Sequence, residues 1–212
     1  MQGCEMIKDK FDETLLMCEG KDEILDFARK YIIHGIPYVF ELREEDFFDF
    51  RNRISKHFSI DYYQVYIVGS GKLGFSYLKG TEFSYDSDID VAIVSEELYD
   101  RYLKYIRKFQ YDIERSRELL VQNEYAEYIK FLKYMAKGWM RPDLLPAKIN
   151  GIDIKTGWFE FFKSISYDKS EVGNYKVSGG VYKNYDYLEY YTVNSLTEYK
   201  KILRIEKEMT NE

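Results

Sequence analysis

The run "IDVAIVS", residues 89–95, is the feature that most limits how this chain can fold. It is apolar at nearly every position, and strands of that kind are buried on both faces, inside a sheet. A β-branched and aromatic run, "YYQVYIV" at 62–68, reads as a second strand that stops at Gly69. Between the two lie the turn Gly69-Ser70-Gly71-Lys72-Leu73-Gly74 and the spacer "FSYLKGTEFSYDS". The pair Asp88 and Asp90 then stands at the beginning of the interior strand.

The flanking sequence supplies helices. Residues 22–34 place Ile24, Phe27, Ala28 and Tyr31 at helical spacing. A helix over 44–57 opens with Glu44, Glu45 and Asp46, which suit the positive end of its macrodipole. Ser95 reads as the N-cap of a helix running to about Lys108, with Glu96 and Glu97 in its first turn. Residues 112–137 read as one long helix ended by Gly138, followed by an irregular connector carrying Pro142 and Pro146. "KINGIDIKTG" (148–157) alternates, with Asp153 opposite Ile152 and Ile154, and predicts a third strand. "YKVSGGVYK" (175–183) predicts a further strand interrupted by Gly179 and Gly180, and 185–207 a closing helix. The fold class is therefore α/β (α+β), a mixed sheet flanked by helices. It divides into an N-terminal helical segment (1–60), a core (61–160) and a C-terminal strand and helix packed on that core (161–212).

Composition excludes several classes. Hydrophobic residues make up 45% and charged residues 32%, which fits a packed core rather than a disordered chain. No run of 18 apolar residues exists, so no membrane span is expected. The N-terminus carries scattered acids and no apolar stretch of the signal-peptide kind. Cys4 and Cys18 belong to no C-x-x-C, and His34 and His57 lack partners at ligand spacing, which argues against zinc and disulfide frameworks. A reducing, cytoplasmic setting is the expectation. Net charge is −6, yet residues 130–185 carry ten Lys and Arg against five Asp and Glu. Such a stretch suits a nucleotide or RNA, although solvated lysines are its commoner explanation.

The turn spells G-x-G-x-x-G, the dinucleotide fingerprint, but the pattern fails in context. A ribose-binding acid stands at the end of its strand, whereas Asp88 and Asp90 stand at the start of theirs, and the spacer holds no crossover helix. A P-loop fails too, because Lys72 is followed by Leu73 rather than Ser or Thr. Taken alone, Asp88 and Asp90 are two residues of strand apart, roughly 6–7 Å, and project to one face. Two carboxylates so placed grip hard cations through oxygen. Without a cation their charges repel, and one tends to keep its proton. The plain alternative is a solvated turn capped by aspartate.

Gly69-Ser70, a spacer, and Asp88-Ile89-Asp90 flanked by apolar residues together resemble the signature of the nucleotidyltransferase fold of the DNA polymerase β superfamily. "SDIDVAIV" is similar to the version in minimal bacterial nucleotidyltransferases and their antibiotic- and toxin-type relatives, although the spacer here is longer. The likeness covers residues 62–95, with looser support to 156. It implies a Mg²⁺-dependent transfer of NMP from an NTP to a hydroxyl acceptor, which is a small molecule, a protein or RNA. It implies two Mg²⁺ ions held by Asp88 and Asp90, and a triphosphate over the turn with Ser70 bonding a phosphate oxygen. A third carboxylate on a later strand would share the second ion, and Asp153 matches its apolar-Asp-apolar setting. Lys72 is a candidate point charge on the phosphates, with a simply solvated turn lysine as the alternative. The competing expectation is a non-catalytic binding or interaction module on the same fold.

Overall fold

Pairing on both sides of the interior strand organises the chain, for which the computed structural model describes residues 2–117, 119–146 and 154–210. In order these form α1 (Gln2–Met17), α2 (Lys21–Phe27, continued by a wider-turned Ala28–Ile33), α3 (Glu44–Phe58), β1 (Val65–Val68), α4 (Ser70–Leu73), β2 (Phe75–Ser76), β3 (Thr81–Glu82) and β4 (Asp88–Val94). Then follow α5 (Glu96–Glu114), α6 (Gln122–Ala136), β5 (Trp139–Met140), α7 (Ile154–Ser164), β6 (Lys176–Tyr182) and α8 (Tyr185–Thr210). A four-stranded mixed sheet has the order β1-β4-β6-β5, and β2 with β3 makes a separate small hairpin. β4 pairs antiparallel with β1 and parallel with β6, while β5 runs antiparallel to β6. The fold is thus the anticipated α+β mixture. No helix among the described residues is long and apolar enough to cross a membrane.

The strand period sorts β4 between two cores. Ile89, Val91 and Ile93 face a cluster built on Phe50 and Ile54 of α3, Ile106 and Phe109 of α5, Phe131 of α6, and Trp158 and Phe162 of α7. Ala92 and Val94 face the other cluster, with Phe11 and Leu15 of α1, Phe27 of α2, and Leu188 and Leu196 of α8. Burying both faces is why this strand reads as a continuous apolar run. The second cluster reaches β4 only at Ala92 and beyond, so the face at Asp88 and Asp90 stays open. Residues before 61 divide between the two faces, α1 and α2 on one and α3 on the other.

Several local expectations hold. Ser95 caps α5, its Oγ accepting from the Leu98 N–H at 3.3 Å. The three acids at 44–46 occupy the first turn of α3.

Other expectations are corrected. Only Val65–Val68 of the first run is strand, because Tyr62–Gln64 form a single 3₁₀ turn boxed by Asp61 and Gln64. The helix expected over 112–137 is broken. α5 runs on to Glu114, Ser116 takes a left-handed backbone (φ 54°), and α6 starts at Gln122. The break folds α6 back, so that Tyr128 meets Phe109 edge to face at 5.4 Å and donates to Gln110 at 3.0 Å. The strand expected over 148–157 is overturned across its described part, since Ile154 to Gly157 begin α7. Trp158, Phe161, Phe162 and Ile165 recur at helical spacing and are all buried, which outweighs a short alternation. Asp153 lies outside the described residues.

The glycine pair does not interrupt β6. Gly179 opens one face to the ring of Phe162, and Gly180 opens the other to Trp139, whose Nε1 would lie 2.5 Å from a side chain there. Gly179→Val is therefore expected to destabilise the protein by about 1–3 kcal/mol or more through overpacking. Chemical denaturation measures it, and an unchanged midpoint would show that Phe162 gives way freely.

Candidate active site

β1 and β4 carry the site by their register. Val68 stands opposite Asp90, so the residue after the strand, Gly69, begins its turn beside that carboxylate. Gly69 has φ 69° and ψ −149°, a conformation that side-chain-bearing residues rarely adopt. A Cβ on it would sit 3.1 Å from Asp90 Oδ2. Its carbonyl accepts from the N–H groups of Lys72 and Leu73 at 3.1 and 3.2 Å, closing the short turn α4. Gly71 is packed close as well, where a Cβ would meet Ile89 Cδ1 at 3.1 Å. Ser70 follows Gly69 directly and is half-buried.

The spacer is the β2–β3 hairpin rather than a crossover helix. Because β1 and β4 are antiparallel, the dinucleotide arrangement, which needs parallel strands, is absent. Ser76 and Ser87, close to the motif in sequence, each receive a backbone N–H at a turn, from Lys79 and Ser84.

On the far side of β4, parallel pairing sets Asp88 level with Lys176 and Asp90 level with Ser178. Lys176 Nζ donates to Asp88 Oδ2 at 2.7 Å, and Ser178 Oγ donates to Asp90 Oδ1 at 3.0 Å. Both acids thus lie on one sheet face, each with one oxygen engaged by β6. Lost hydration is the main cause that raises the Asp90 pKa, and the neighbouring Asp88 charge adds to it. The Ser178 hydrogen bond and the charges of Lys176 and Lys79 act in the opposite sense. Asp90 is nonetheless an exposed residue of the sheet face.

Beyond Asp90 the same face continues onto an aromatic wall. Trp139 lies over Gly180, stacks on Tyr182 with ring centroids 5.6 Å apart, and meets Tyr191 of α8 edge-on at 4.9 Å. The Arg141 guanidinium sits 5.4 Å from the Trp139 ring and is forked by Asp143. The charge of Asp90 is felt by Tyr182 and Tyr191, in both cases raising the phenol pKa after burial has done most of it.

Gly69, Ser70, Asp88 and Asp90 are therefore brought together. Lys72 is not. It is buried, and its ammonium donates to the carbonyls of His34 and, at 3.3 Å, Ile36, while burial lowers its pKa to about 8. It ties the turn to the segment after α2 instead of reaching toward phosphates, and it is not solvated either. Lys176, Ser178 and Lys79 are the neighbours that sequence reasoning missed. Lys176 lay within the basic stretch, but only strand pairing selects it from the ten cations there. Among the described residues no three His, Cys, Asp or Glu side chains are placed to hold a metal ion together. The shallow hollow lined by Glu44, Glu45, Phe48 and Asp49 belongs to α3 on the other face of the sheet. Comparisons of this chain with protein-family models, with curated proteins and with solved structures found no match.

A carboxylate whose folded pKa lies above its ordinary value of 3.8 holds its proton more tightly in the folded state. Stability then falls as pH rises from that value through the raised one. Asp90→Asn is expected to melt higher than the parent at neutral pH and to differ little below about pH 4. Thermal melts between pH 4 and 8 check this, and a lower melting temperature at neutral pH would show that Asp90 is instead a structural anchor.

Proposed function

We propose that this chain is a nucleotidyltransferase of the DNA polymerase β superfamily type, acting on an NTP and a hydroxyl acceptor. The observation that carries the reading is the meeting of the Asp90 carboxylate with Gly69 at the end of β1, with Asp88 on the same face. A glycine turn that excludes side chains beside two carboxylates suits a triphosphate and a divalent cation together. Asp88 and Asp90, each with one carboxylate oxygen engaged by β6, are the residues that would hold such a cation. When bound, Mg²⁺ would neutralise phosphate charge that the protein alone balances incompletely.

The protein's own groups do the rest of the positioning. Gly69 lets phosphates approach the backbone closely, and Ser70 offers its hydroxyl to a phosphate oxygen. Lys79 and Lys176 supply positive potential around the acids. Tyr191, the most exposed ring of the aromatic wall, is the one on which a nucleobase would stack. In the reaction the acceptor oxygen bonds to the α-phosphorus, and the bond from that phosphorus to the bridging oxygen breaks. The electron pair leaves with pyrophosphate. Asp153 is carried in the proposal as the carboxylate that takes the hydroxyl proton.

A second reading has its own support. The side chains that β6 sets beside the acids are an ammonium and a hydroxyl, not a carboxylate, which suits a binding or interaction module on this fold without turnover. Incubation with α-labelled NTPs and Mg²⁺ separates the two. Transfer of label by the parent, abolished in Asp88→Ala and Asp90→Ala, is the expected result. Nucleotide binding without transfer would leave the module, and no metal-dependent nucleotide binding would remove the transferase reading. Acceptor binding that weakens steeply with salt would identify RNA over a neutral small molecule.

A further inference from the structure

The place beside Asp88 on the neighbouring strand is held by Lys176. It is placed there by the sheet rather than by a loop, since parallel pairing makes Lys176 the direct neighbour of Asp88 and Ser178 that of Asp90. The ammonium lies 2.7 Å from Asp88 Oδ2, and the side chains of both partners stay about half exposed. An exposed pair of this kind contributes little stability. Its consequence is electrostatic. Lys176 and Lys79, both felt by Asp90, return as much positive charge as the two aspartates remove. Ser178 meanwhile engages Asp90 Oδ1, so β6 holds one oxygen of each acid.

We propose that Lys176 is a built-in cation of this site, standing where a second divalent ion would bind, so that the acid pair takes one divalent ion only. This rests on reading Asp88 and Asp90 as a cation site and deepens the proposed function, replacing the two-ion expectation by one divalent ion and one ammonium. The ammonium cannot dissociate into solvent, so it holds one positive pole beside Asp88 whether or not nucleotide is present. It repels any further divalent ion at that carboxylate, since like charges a few ångströms apart at a protein surface oppose each other strongly.

Mn²⁺ alone, titrated by calorimetry and by electron paramagnetic resonance against the full chain, tests this. The parent should bind at most one ion at the acid pair, with the binding lost in Asp88→Asn. Lys176→Met should bind that ion about tenfold or more tightly, because a like charge has been removed. Lys176→Arg should keep the parent affinity, and Lys176→Asp, which exchanges the ammonium for a further carboxylate beside the pair, should bind two. Residue 176 is exposed, and far-ultraviolet circular dichroism checks that each variant is folded. Two ions bound by the parent, or Lys176→Met binding no more tightly than the parent, overturns the assignment. If Mn²⁺ behaves as stated but labelled NTP is neither bound nor used, the transferase reading falls and the role of Lys176 stands. If label is transferred while Lys176→Met is unchanged in Mn²⁺ affinity, the role of Lys176 falls alone.

Discussion

The antiparallel register of β1 on β4 is what the rest of the site depends on. Val68 opposite Asp90 means that the chain leaves the sheet at Gly69, level with the acid, and no other register would do so. A slip of one residue would turn Asp88 and Asp90 into the apolar layer now filled by Ile89 and Val91. That layer is closed by Phe50, Ile54 and Phe162, so the cost of burying two unpaired carboxylates enforces the register. Core packing on one face thereby sets the two acids beside the glycine turn on the other.

The same division decides where the site opens. α1, α2 and α8 cover Ala92 and Val94 but not the first residues of β4. The two acids emerge at the rim of this helical layer, between the β2–β3 hairpin and the aromatic wall built on β5 and α8. Tyr77 of the hairpin segment hydrogen-bonds Ser195 of α8 at 2.8 Å, tying the two sides of that rim together. Two like charges side by side, one of them short of hydration, oppose folding, and β6 offsets this only in part through Lys176 and Ser178.

Much of this was legible in the residues, and what was not has physical causes. β4, its acids and its cap Ser95 rest on local pattern and on strong propensity, as do the glycine turn and the acidic start of α3. The strand expected around Asp153 failed over its described part because five alternating residues weigh less than the four-residue helical stripe from Trp158 to Ile165, which shares its edge. The glycines of β6 looked like an interruption because their partners, Phe162 and Trp139, come from distant sequence. Lys72 misled for a similar reason, since the carbonyls that hold it belong to residues 34 and 36. Lys176 and Ser178 were invisible for want of strand order: nothing local says that β6, rather than 148–157, lies beside β4.

Paramagnetic broadening by Mn²⁺ in ¹⁵N-resolved spectra tests the central juxtaposition most directly. The signals of Gly69 and Ser70 are expected to broaden together with those of Asp88, Asp90 and Ser178, at a stoichiometry of one ion, because the proposed cation site lies where turn and acids meet. Broadening of the acid strand with Gly69 and Ser70 left sharp, or broadening centred elsewhere on the molecule, would contradict the account.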